Sequence, residues 1–105
     1  MMSQAELMET LQKVTQLFNE IANRLETALV GQGDQVDKLR QLNAKALVRA
    51  ALFSEEIASS PFNTDKSVVE AGADVVTAMQ RAQAGFAAWD ALQVSKAMGK
   101  PTAIH

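Results

Sequence analysis

The chain has no cysteine and a single histidine in 105 residues. Without cysteine there is no disulfide framework, no thiolate zinc site and no thiol nucleophile. The redox compartment stays open, because a cysteine-free chain is stable in any of them. The one histidine, His105, is the last residue of the sequence, and histidine is the usual general base of hydrolases and transferases. The Glu-x-x-His motif of di-metal helical bundles is also missing. The expectation is a non-enzymatic chain with no cofactor and no metal. Two acidic pairs are present, and both have a structural explanation. Glu55 and Glu56 are consecutive, so on a helix they diverge by about 100°. Glu70 and Asp74 fall near a predicted helix start, where carboxylates complement the helix dipole.

Long apolar runs are missing as well. The longest, Ala84-Gly85-Phe86-Ala87-Ala88-Trp89, is far below the roughly 20 residues of a membrane span. Glu6 and Glu9 within the first ten residues do not fit a secretory signal. The expected location is cytoplasmic by default, or within a larger assembly. Charge shows no excess of one sign: ten Lys and Arg stand against twelve Asp and Glu, for a net charge of -2. Nucleic acid and anionic lipid reward clustered cations. Here only Lys38, Lys45 and Arg49 gather on one face, without interleaved aromatics, and they read as a solvated ridge. Gly31-Gln32-Gly33-Asp34 is the one glycine-rich stretch, and no phosphate-loop motif surrounds it.

What is present is helical periodicity. Leu7, Leu11, Val14, Phe18, Ile21, Leu25 and Ala28 recur at alternating spacings of four and three, which lays one apolar seam along a helix. Met8, Leu17, Ala22 and Leu29 widen that seam to the breadth of a bundle helix. The pattern predicts a first helix over about 4–30. Gly31 is placed to end it in the left-handed conformation, and Asp34 to cap the next. A second helix over about 35–59 carries the stripe Val36, Leu39, Ala46, Ala50, Phe53 and Ile57. Ala44, Val48, Ala51 and Leu52 project to another side, and only Lys38, Lys45, Arg49 and Glu56 form a polar ridge.

Pro61 ends that helix, and Phe62 in the loop is expected to plug the bundle end. Ser67-Val68-Val69-Glu70 matches a capping box, with Asn63 or Thr64 as alternative caps, for a third helix over about 65–98. Val68, Val75, Met79, Ala82, Phe86 and Trp89 lie on one flank of this helix, and Val69, Val76, Ala87 and Val94 lie about 100° away. Gly72 and Gly85, with pairs of alanines, permit close helix approach. Phe86 and Trp89 share a face at i,i+3 and suit either a core pair or an anchor for a partner helix. Gly99 and Pro101 stop the helix, leaving 99–105 as an extended tail.

These readings predict one all-α domain over 1–98 with coiled-coil-like packing. It is either a three-helix bundle or a hairpin of the first two helices, of about 40 Å each, with a long third helix packed along it or projecting. Helices two and three carry more apolar surface than one chain of three helices buries. Left exposed, such surface marks interaction sites. The functional expectation is a self-associating structural or assembly subunit, such as a component of a phage particle or secretion machine, acting through apolar helix flanks. Its expected interface is Val48, Leu52, Val69, Val76, Phe86 and Trp89, and its partner is a second copy or another helical protein. A helical module or chaperone that shields a partner helix or a lipid-like ligand is the alternative. A nucleic-acid-associated regulator ranks below both.

Overall fold

The seven apolar residues of the first seam all lose their contact with solvent on one side of a single helix. In the computed structural model, which describes residues 3–30 and 36–99, that helix is α1 (Gln4–Leu29). It is followed by α2 (Val36–Ala58) and α3 (Lys66–Gly99). The described residues contain no strand, and the protein is an all-α bundle. The expected caps at Gly31 and Asp34, and all of the tail after Gly99, His105 included, lie outside the described residues.

The starts of α1 and α3 each have their own cap. Ser3 Oγ accepts the Glu6 amide at 3.2 Å while a Glu6 carboxylate oxygen accepts the Ser3 amide at 3.1 Å, so two donors that a helix start leaves open are satisfied together. The bond from the Ser3 backbone, followed by the Ser3 side chain, holds the Glu6 carboxyl below its ordinary pKa. At α3 the cap is Asp65, which accepts the Ser67 amide at 2.9 Å and also its hydroxyl. The Ser67 side-chain bond is the main reason that the Asp65 carboxyl titrates low. The capping box expected at Ser67 does not form, because Ser67 already lies inside the first turn and spends its donors on Asp65. Phe62 is half-buried and packs against the core from the loop.

The expected hairpin of α1 and α2 forms with α3 packed along it, but the tightest pairing lies outside the hairpin. The closest pair is α1 with α3, α2 rests on α1, and α2 and α3 barely meet. Gln4 bonds Ser67, and Arg81 reaches Asn19, Asn23 and Glu26, so α1 and α3 run parallel. Arg40 pairs with Asp90, which sets α2 antiparallel to both. The reason for the tight pair is the small-residue face of α3, where Ala71, Ala78 and Ala82 are buried and Gly85 receives the side chain of Leu25. The result is a rod with extents of 66 × 19 × 18 Å. With Leu25 level with Gly85, α3 runs on beyond the end of α1, and from Gln93 to Met98 its side chains are exposed.

The two glycines of α3 that the sequence places alike differ in their surroundings. A Cβ on Gly85 would stand 2.8 Å from Leu25 Cδ1 and 3.1 Å from Leu25 Cβ, whereas one on Gly72 would meet nothing within 4 Å. Replacing a helical glycine by alanine gains about 1 kcal/mol, and overpacking a filled core costs about 1–3 kcal/mol. Thermal denaturation is therefore expected to show Gly72→Ala stabilised and Gly85→Ala destabilised. A rise in both midpoints would mean that Leu25 yields at little cost.

Candidate interaction surface

The gap between α2 and α3 is an open groove. One half is an apolar cleft of about 330 Å³ with Leu11 and Val14 of α1 at its floor. Leu47 lines both this cleft and a more polar one that ends at Arg40 and Asp90, so the two adjoin. The walls repeat at seam spacing. Beside the core-stripe residues Asn43, Ala50, Phe53, Ile57, Val75 and Phe86, the lining holds Arg40, Ala44, Leu47, Ala51 and Ser54 on α2, and Gly72, Val76, Met79, Gln83, Ala87 and Asp90 on α3. Each series steps by threes and fours, the spacing of a helix face that packs on a neighbour. Thus α2 and α3 each carry a second seam that faces the groove rather than another helix.

The polar end is bridged by an ion pair. Arg40 forms an ion pair with Asp90, and its guanidinium lies 4.9 Å from the centroid of the Phe86 ring, within cation-π range. Beside it Asn43 is buried to 9% exposure, and its Oδ1 has no hydrogen-bond partner. None of Arg40, Asn43 and the open side of Gly72 is singled out by the sequence reading. Asn43 leaves one signal, because it fills the seven-residue gap between Leu39 and Ala46 in the α2 stripe. The Arg40 pairing joins residues 50 positions apart, which no local spacing reveals.

The six residues expected at an interface separate into three settings. Val48 and Leu52 are each 62% exposed on the side of α2 away from the core, and Val69 and Val76 are 55% and 46% exposed on α3. Val76 also forms part of the groove wall. Trp89 is half-buried against the core. Phe86 is not an outward anchor: it is 7% exposed, because its position on the core flank of α3 sets its ring beneath Arg40.

Lys38, Lys45 and Arg49 are exposed. Among the described residues no group of three His, Asp or Glu side chains converges to hold a metal ion, and no helix is long and apolar enough to cross a membrane. Comparison with family models, with curated proteins and with solved structures finds no match to this chain.

Proposed function

We propose that this protein is a non-enzymatic, self-associating helical subunit of a larger assembly and acts through the apolar flanks of α2 and α3. The observation that carries this reading is the exposure of Val48, Leu52, Val69 and Val76 on helices whose groove-facing seams have no helix packed on them. Large apolar side chains left exposed leave about 25 cal/mol unrealised for each Å² kept wet, and a second copy recovers it by covering them. Light scattering at micromolar concentration tests the proposal. Wild type is expected to run as an oligomer, and Leu52→Glu and Val76→Glu are expected to shift it toward monomer while the far-ultraviolet helical signal is kept. Variants that unfold instead would place these two residues in the intrachain core.

One observation favours a second reading, a module that shields a lipid-like ligand or a partner helix. The apolar cleft over Leu11 and Val14 has a volume of about 330 Å³, at the lower end of ligand pockets. A monodisperse monomer that binds an apolar fluorescent probe, with Met79→Glu abolishing the signal, would replace self-assembly by this function.

A further inference from the structure

The outward side of α2 carries a pattern that reads the same from both ends. Gln41, Lys45, Val48, Leu52, Glu55 and Ser59 follow one another at spacings of four, three, four, three and four, so they form a third seam on this helix. Ser59 continues the helical path into the turn through its amide, which bonds the Glu55 carbonyl at 3.1 Å. All six are exposed. The series is symmetric in position about Ala50. Val48 and Leu52 stand two residues to either side, Lys45 and Glu55 five, and Gln41 and Ser59 nine. The two apolar residues are thus central, the polar ones terminal, and the charges between them opposite in sign.

We infer that α2 pairs antiparallel with α2 of a second copy across a two-fold axis at the level of Ala50. In that arrangement Val48 meets Leu52 of the partner subunit, and Lys45 meets Glu55 of the partner subunit, each contact occurring twice. This is the isologous geometry in which one surface complements itself. The parallel alternative sets lysine against lysine and glutamate against glutamate, so charge selects the antiparallel orientation. The two charges are also uncommitted within the chain. Lys13, Arg24, Arg40, Lys66 and Arg81 each pair with a carboxylate, whereas among the described residues neither Lys45 nor Glu55 has an ion-pair partner. Opposite charges bracketing an exposed apolar pair are the features that fix orientation and register between helices.

The inference rests on the self-association proposed above and specifies its contact. Its test is sedimentation equilibrium of the full chain carrying Lys45→Glu, Glu55→Lys, or both. Each single variant turns two attractive contacts into two repulsive ones, and is expected to weaken association on the order of tenfold. The double variant restores the wild-type constant, because it exchanges the charges without changing their complementarity. The most specific result comes from mixing the two single variants. One then carries two glutamates and the other two lysines, so they form a heterodimer more tightly than either associates with itself. If wild type associates but the single variants match it and their mixture gains nothing, the α2 contact is overturned while self-association stands. If wild type stays monomeric throughout the micromolar range, both fall together. Both substitutions lie at exposed positions, and circular dichroism checks that each variant keeps its helices.

Discussion

Phe18→Ala is expected to remove about 3–5 kcal/mol of stability. Phe18 has no exposed surface and sits near the middle of α1, which among the described residues is in extensive contact with both other helices. Truncating the ring forfeits its transfer free energy and leaves a cavity between helices that cannot close, since the small residues of α3 already hold it against α1. Domains of this size have a total stability of about 5–15 kcal/mol, so the variant is expected to be populated in unfolded form under mild denaturant. Urea denaturation measures the effect as a fall in the midpoint with an unchanged slope. A loss under about 1 kcal/mol would mean that the α1 seam is not the centre of the core.

Asn43→Leu is expected to act in the opposite direction, raising stability by about 1–2 kcal/mol. Its Oδ1 is buried without a donor, and an unsatisfied buried polar group costs about 1–3 kcal/mol. Asn43 stands in the α2 stripe between Leu39 and Ala46, both buried, where leucine, with the same branching at Cγ, continues the apolar face. An asparagine inside an apolar seam has a known use, since it penalises registers that bury it differently and fixes one arrangement at a cost in stability. The same substitution is therefore expected to loosen the specificity of α2 packing. The higher denaturation midpoint should be accompanied by a change in the fluorescence of Trp89, which packs against the core near the Arg40 end. Lower stability would show that the asparagine oxygen is hydrogen-bonded in solution.

The helices themselves were legible because each is written locally. Spacings of three and four place Leu7 through Ala28 on one side whatever packs there, and the observed bounds fall within a residue of those read from periodicity. The cap of α3 is Asp65, two residues before Ser67, since Asp65, Ser67 and Asn63 all have the chemistry of a cap and only backbone geometry chooses among them. The candidate surface was legible in part. Exposed valines and leucines follow from an apolar face wider than one stripe. Phe86 and Trp89 were ambiguous because an aromatic pair at i,i+3 serves a core and an interface equally well.

The sequence by itself determined three helices, the apolar side of each, and the presence of additional seams on α2 and α3, since all of these depend on residue type and helical period alone. The tertiary structure decided which seams meet. That choice depends on how closely two backbones approach, and on α3 the approach is set by Gly85 receiving Leu25, a contact between residues remote in sequence. Pairing α1 tightly with α3 leaves α2 held by α1 on one side and by Arg40 at one end. The groove follows from that asymmetry, because the buried small residues Ala71, Ala78 and Ala82, with Gly85, bring α3 close to α1 and not to α2.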